Sequence, residues 1–347
     1  MKGAIGSTLV GLKALDKIQT KFLEYTIKQQ NNFIKETSTG TGLQHINKDF
    51  FEICRIPLPP LAEQDRIVAK LNAVMQKVES NKQRLDKIPK LLKRFRQSVI
   101  DLACSGKLSE GDVEFKLTKF EFLLKSIRGG TTGVPQNTKT YYPVLRSSSV
   151  RQGQIDYQDV KYLSQEQSLN KNNFLDLGDL LFTRLNGTAE YVGNCAKVNI
   201  INASSYQFPD RLYCAKLIPE VDSNYCVYAF ATTPIRIEIE NRAKSTAGHK
   251  RISISDIKDM SISLPPLEEQ KKIVKQVEQL FAFADKIEAR YTKAKAMLDK
   301  LPQSILAKAF RGELVPQDSN DEPASVLLAR IKAEKEKLAK EKKKKKD

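Results

Sequence analysis

Leu58–Leu108 and Leu264–Leu314 align without a gap at an offset of 206 residues, and 16 of the 51 aligned positions are identical, which marks duplication rather than shared composition. One copy opens LPPLAEQDRIV and the other LPPLEEQKKIV, so the proline pair, an acidic residue, a glutamine and an Ile-Val pair recur in place. The match extends backwards through Gly42, Ile46 and Ile56 against Gly248, Ile252 and Ile262. Solenoid repeats run to about 20–50 residues, so a duplicated unit of this size excludes a stack of small repeats. It implies two equivalent tasks joined by two equivalent spacers.

Each spacer reads as a proline-started helix with a heptad stripe. Leu71, Val78, Leu85, Leu92 and Val99 fall seven apart, beside a companion row of Ile67, Val74, Asn81, Ile88, Phe95 and Leu102 in which only Asn81 is polar. The second copy repeats the stripe with Val277, Ala284, Tyr291, Leu298 and Ile305. Alternating steps of three and four residues gather apolar side chains on one seam, which makes that seam a surface for another helix. The candidate helix-packing residues are therefore Leu71, Val78, Leu85, Leu92, Val99, Val277, Tyr291, Leu298 and Ile305. A helix of about 40 residues reaches on the order of 60 Å, long enough to act as a spacer. Pro89 and Pro302 stand inside the stripes, where a missing N–H and a ring clash predict a kink or a break.

The remaining composition narrows the function classes. With 347 residues, 40% of them apolar, the chain has room for two sizeable domains plus helices. Five cysteines form no CxxC pair and only His45 and His249 stand beside them as nitrogen ligands, so no metal site is expected and the thiols are expected to be free. No run of about 20 apolar residues and no basic-then-apolar leader occurs, which predicts a cytoplasmic chain without a membrane partner. The net charge of +17 invites a polyanion partner. That charge is uneven: the spacers and the Lys342–Lys346 tail carry most of it, whereas Ser109–Ser263 is only +2. If this middle stretch binds DNA, it does so through a local face.

Ser109–Ser263 has the texture of a mixed-sheet α+β domain. Strands are predicted at Tyr142–Leu145, Tyr157–Leu163, Leu180–Thr183, Asn194–Ile201 and Arg211–Ile218, with a helix over Tyr225–Asn241. Asn186-Gly187 predicts a turn that carries Arg184 and Asn186 at the tip of a hairpin. Arg can bridge guanine O6 and N7 and Asn can bridge adenine N6 and N7, so this pair is suited to reading base edges; an Asn before Gly also fits a turn residue that tolerates positive φ. Thr188, His249, Lys250 and Arg251 supply further donors, the last three in the polar loop before Ile252, and Arg146 with Ser147 and Ser148 is another candidate. An ordinary loop before a strand is the competing reading of 246–251.

No catalytic residue emerges. Gly129, Gly130 and Gly133 lack the Lys-Ser/Thr of a phosphate-binding loop, no GxSxG elbow occurs, and neither LPPL matches the Asn/Asp-Pro-Pro-Tyr/Phe loop of an adenine methyltransferase. Any chemistry is left to partners.

GDLLFTRLNG at Gly178–Gly187, the Gly248 loop, ISISDIKDMSISLPPLEEQKKIV at Ile252–Val274 and AFRGEL at Ala309–Leu314 resemble, in this order, the specificity subunit of type I restriction-modification systems. The resemblance implies an α+β, mixed-sheet target-recognition domain between two long antiparallel coiled-coil helices, and sequence-specific binding to double-stranded DNA. It also implies methylation subunits that dock on the helices and methylate adenine with S-adenosylmethionine, and restriction subunits that use ATP and Mg for translocation and cleavage; no cofactor is expected on this chain. The expected organisation is a C-terminal remnant of a first recognition domain at 1–57, a spacer helix at 58–108, a complete recognition domain at 109–263, a second spacer helix at 264–314, and a C-terminal helix with a Lys-rich tail at 315–347. Because family members carry two full recognition domains, roughly 100 residues of the first are expected to be missing. Self-association, or pairing with another specificity fragment, would restore a second reader. The alternative is a truncated or silent fragment that serves as a coiled-coil scaffold or competes for methylation subunits without DNA selectivity.

Overall fold

The computed structural model describes residues 18–30, 54–164, 173–202, 205–246 and 249–344. The Thr39–Ile46 loop, Gly248, and most of the segment before Leu58 lie outside the described residues. The helices are α1 (Thr20–Gln29), α2 (Leu61–Leu85), α3 (Ile88–Cys104), α4 (Ser223–Ala229), α5 (Thr233–Arg242), α6 (Ile254–Lys258), α7 (Leu267–Phe310) and α8 (Ala324–Lys344). The strands are β1 (Lys116–Lys119), β2 (Leu124–Gly129), β3 (Pro143–Leu145), β4 (Val150–Arg151), β5 (Gln154–Ile155), β6 (Val160–Tyr162), β7 (Leu180–Thr183), β8 (Leu185–Asn186), β9 (Cys195–Lys197), β10 (Leu212–Leu217), β11 (Lys244–Thr246), β12 (His249–Arg251) and β13 (Ser261–Leu264). The chain forms two compact units, residues 89–288 and residues 1–88 with 289–347.

In the 89–288 unit an antiparallel sheet of order β2-β10-β7-β9 is buried on both faces. The period-two pleat sends Leu180, Phe182, Cys195, Tyr213 and Ala215 into one apolar cluster and Leu181, Ala196, Leu212 and Cys214 into another. That is why Leu180–Phe182 is a continuous apolar run and Leu180–Thr183 is wholly buried. Phe182 meets Phe120 and Phe230 edge-to-face with centroids at 5.8 and 4.8 Å. Smaller antiparallel sheets pair β1 with β13, β3 with β6, β4 with β5, and β11, β12 and β8 in that order.

The helical stripes pair as well. In the unit containing α1 and α2, Ile67, Val68, Leu71 and Val78 share a core with Phe22, Ile305, Leu306 and Ala309. Further along, Lys295 Nζ reaches Asp86 Oδ1 at 2.9 Å, so one helix number rises as the other falls and the two run antiparallel. In the 89–288 unit, Ile273, Val274 and Val277 share a core with Val99 and Ala103, and Arg96 reaches Asp285 at 2.6 Å and Glu288 at 2.7 Å. Under the 206-residue offset, Ile67, Val68 and Leu71 become Ile273, Val274 and Val277, while Ile305 and Ala309 become Val99 and Ala103. The duplication therefore builds one packing motif twice.

Both proline pairs end in the same buried latch. Gln64 donates Nε2–H to the Pro59 carbonyl at 2.9 Å and accepts the Gln19 N–H at 3.0 Å on Oε1. Gln270 donates to the Pro265 carbonyl at 2.9 Å and accepts the Asp222 N–H at 2.8 Å. Gln19 caps α1 and Asp222 caps α4, and the third residue after each cap, Phe22 or Tyr225, is fully buried. These matched bonds make α1 the first-copy counterpart of α4.

One local expectation is met and two differ from the structure. The break expected at Pro89 divides residues 58–108 into two helices, because Pro89 has no N–H for the Leu85 carbonyl and α2 ends at Leu85. Pro302 does not break α7; burial of Ile305, Leu306 and Ala309 beyond it holds the segment in place. The helix expected over Tyr225–Asn241 divides into α4 and α5 before Pro234, which stands in the first turn of α5.

Candidate nucleic-acid interface

Arg184 stands where the chain changes sheets. Its N–H donates to the Arg211 carbonyl at 2.9 Å beside β10, and its carbonyl accepts the Ile252 N–H at 3.0 Å beyond β12. No hairpin forms at this point: β7 lies between β10 and β9, whereas β8 pairs with β12. The expected Asn186-Gly187 hairpin is thus replaced by a crossover from the large sheet to the small one. This crossover brings Arg184 next to the 249–251 segment, 65 or more positions away in sequence.

The small sheet divides the sequence candidates between two faces. Lys250 lies opposite Asn186, and Arg251 opposite Leu185; directly opposed residues share a face and neighbours along a strand do not. Lys250 and Asn186 therefore occupy one face and Arg251 the other. Asn186 Oδ1 accepts the Thr188 N–H at 3.0 Å, a local turn bond that engages the side-chain oxygen and holds Thr188 at the exposed end of β8. His249 is exposed at the start of β12.

On the Arg251 face, Arg184, Leu185, Asp210, Arg211 and Arg251 line a cleft of about 200 Å³. A second cleft of about 440 Å³ shares Asp210 and Arg211 with it and is lined further by Arg146, Ser147, Ser148 and Lys161. Arg146 Nη1 meets Asp159 Oδ1 at 3.2 Å, and the same aspartate accepts from the Ser148 hydroxyl, so this arginine is braced against its own loop. Neither Arg211 nor Arg251 meets a carboxylate within ion-pair distance among the described residues, and both are exposed. Five cations with two acids on one surface contrast with the near-neutral domain around them.

The backbone under these clefts is tightly fixed. Thr131 N–H donates to the Phe208 carbonyl and Asp210 N–H to the Thr131 carbonyl, both at 2.9 Å. A Cβ on Gly130 would lie 2.1 Å from the Phe208 oxygen, so only glycine lets β2 approach the 208–211 segment this closely. The Tyr213 hydroxyl donates to the Ile252 carbonyl at 3.2 Å, and the Arg184 guanidinium lies 5.7 Å from the Tyr213 ring centroid. Arg211 and Lys161 escaped the sequence reading. Their only local signal was a basic residue beside a Pro-Asp turn or in a short strand, and their proximity depends on strand register.

The helix-packing candidates also have defined places. Leu71, Val78, Leu92, Val99, Val277 and Ile305 are buried, whereas Leu85, Tyr291 and Leu298 are half-buried. Among the described residues no cluster of His, Cys, Asp and Glu suits a metal ion, and no helix is long and apolar enough to cross a membrane.

A family profile described as the type I restriction modification DNA specificity domain matches residues 4–90 and 125–295. The chain belongs to this family. It is 41% identical over 319 residues to the type I restriction enzyme EcoKI specificity subunit of Escherichia coli strain K12, covering 87% of this chain and 68% of that one. Against the StySPI specificity subunit of Salmonella potsdam, identity is 33% over 318 residues with the same coverage. The HsdS subunit from Thermoanaerobacter tengcongensis shares the fold at 20% identity and a TM-score of 0.56, over 84% of this chain and 70% of that one. A chain from a structure of type I R-M complex assembly and conformational transition gives a TM-score of 0.64 at 20% identity, over 84% of this chain and 71% of that one. As a type I specificity subunit the chain is non-catalytic by itself.

Proposed function

We propose that this specificity subunit reads a segment of double-stranded DNA with the paired clefts of the 89–288 unit and directs methylation and cleavage carried out by partner subunits. The observation that carries the reading is the convergence of Arg184, Arg211 and Arg251 on one small cleft, adjoined by Arg146 and Lys161, in a domain of almost balanced charge. Phosphate contacts set position and base contacts set sequence; Arg211 and Arg251, exposed and without an ion pair among the described residues, suit the first role, and Arg184, held at both backbone ends, suits the second. In this reading the helix pair is the platform for methylation subunits. S-adenosylmethionine, ATP and Mg belong to the methylation and restriction subunits, not to this chain.

Selection from a random duplex library by the full chain, alone and with methylation subunits, tests the proposal across salt concentrations. Enrichment of a defined sequence is expected, with affinity falling steeply as salt rises because counterions are released from phosphates. Salt-sensitive binding without enrichment would overturn it in favour of non-selective attachment.

A further inference from the structure

We infer that Arg184 and Asp210 together read one G·C base pair, the guanidinium on guanine and the carboxylate on cytosine. The inference rests on the DNA-reading role proposed above and extends it to a residue with the opposite charge. A carboxylate in a basic cleft is an expense for a surface that only grips phosphate, since it repels the backbone it should attract. Asp210 nevertheless stands among Arg184, Arg211 and Arg251 in the smaller cleft and joins Arg146 and Lys161 in the larger.

Geometry leaves both partners competent to bind outward. Arg184 Nη1 donates to the Asp210 carbonyl at 3.1 Å, while the nearest carboxylate oxygen, Oδ2, lies 3.9 Å away. That separation is too long for a hydrogen bond, so the carboxylate keeps its lone pairs, and among the described residues it accepts from no donor. The Asp210 side chain is 51% exposed and that of Arg184 34%. Beyond the bond from the Arg184 guanidinium to the Asp210 carbonyl, both are held at their own backbones. Asp210 N–H is tied to Thr131, and Arg184 is tied to Arg211 and to the residue after Arg251.

The spacing fits the major-groove edge of a G·C pair. Guanine presents O6 and N7 as acceptors and cytosine presents its N4 amine as a donor. The Watson–Crick bond between N4 and O6 spans about 2.9 Å, so a donor on O6 and an acceptor on N4 finish within roughly 4 Å of one another. An Arg–Asp pair separated by an open gap of this size meets both bases of one pair. A T·A pair also places an acceptor beside an amine, but thymine offers one acceptor to the guanidinium fork where guanine offers two.

Selection on random duplexes with the full chain, and with its Asp210→Asn, Arg184→Gln and doubly substituted forms, tests this. Asp210→Asn keeps the shape and the backbone bonds, so the fold is preserved. Each single variant is expected to lose discrimination on the order of 10- to 100-fold at the same G·C position, and the double variant to lose little more than either. Loss at two different positions, an A·T pair at the shared position, or an equal weakening on all sequences would overturn the inference. Retained preference in Asp210→Asn and Arg184→Gln would remove this pair while leaving DNA reading intact. Absence of any selection by the unsubstituted chain would remove both.

Discussion

Arg211 shows what a residue-level reading of sequence misses. Arg184, Arg251 and Arg146 were visible because each lies in or beside a polar, turn-like stretch, but Arg211 enters the cleft only through the bond from Arg184 N–H to its carbonyl, a register that spacing does not encode. Asn186 is the converse case. The sequence offered it both as a base reader and as a turn residue, whereas its bond to Thr188 N–H and its place opposite Lys250 required the fold. Arg211→Ala is therefore expected to weaken binding to all sequences alike and to reduce the salt slope by about 1, while Asn186→Ala leaves that slope unchanged; titrations at several salt concentrations compare them. An unchanged slope for Arg211→Ala would place it away from phosphate. The thiols give an independent check on the core. Burial raises the Cys104 thiol, with a smaller contribution from Asp101, to about 12, and Cys195, Cys214 and Cys226 are raised by burial too. Only Cys54 is half-buried. In the native protein at pH 8, an aromatic disulfide reagent is expected to label no more than one thiol rapidly and the others after denaturation. Fast labelling of two or more would contradict the packing around the central sheet.

At the scale of the element, the LPPL-x-EQ signature acquires a mechanism. The prolines deliver an extended entry and a fixed φ at the helix start, and the glutamine one turn later fastens that entry to the cap of a second helix. Duplication made the signature obvious in the sequence. Its purpose was not, because Gln19 and Asp222 are remote in sequence and differ in type. Gln270→Ala leaves the Asp222 N–H and the Pro265 carbonyl buried without these partners, each costing about 1–3 kcal/mol; Gln64→Ala does the same to Gln19 and Pro59 in the first copy. Chemical denaturation of the two variants should show losses of similar size. A change below about 0.5 kcal/mol, the range of ordinary surface substitutions, would show that the latch is not structural. The heptads likewise revealed which residues face a helix, and Pro89 marked an interruption; that Pro302 would leave α7 continuous was not legible, since local packing settles whether a proline breaks a helix.

Across the whole molecule, the duplicated sequence becomes two packing problems linked through one long helix. Residues 267–288 of α7 complete the 89–288 unit, and residues 289–310 complete the other. Among the described residues the apolar clusters do not mix: Phe22, Leu71 and Ile305 belong to one, and Phe182, Val99 and Val277 to another. A core that is separate can lose stability separately. Leu71→Ala, at a fully buried site, should cost about 2–5 kcal/mol and Phe182→Ala about 3–5 kcal/mol, each in its own unit. Two calorimetric transitions are therefore expected, with Leu71→Ala lowering one and Phe182→Ala the other. DNA selection measured below both transitions should survive Leu71→Ala, because every residue of the paired clefts belongs to the 89–288 unit. If one transition moved equally in both variants, α7 would be coupling the units into a single cooperative fold, and the reader would depend on the whole helix platform rather than on its own core.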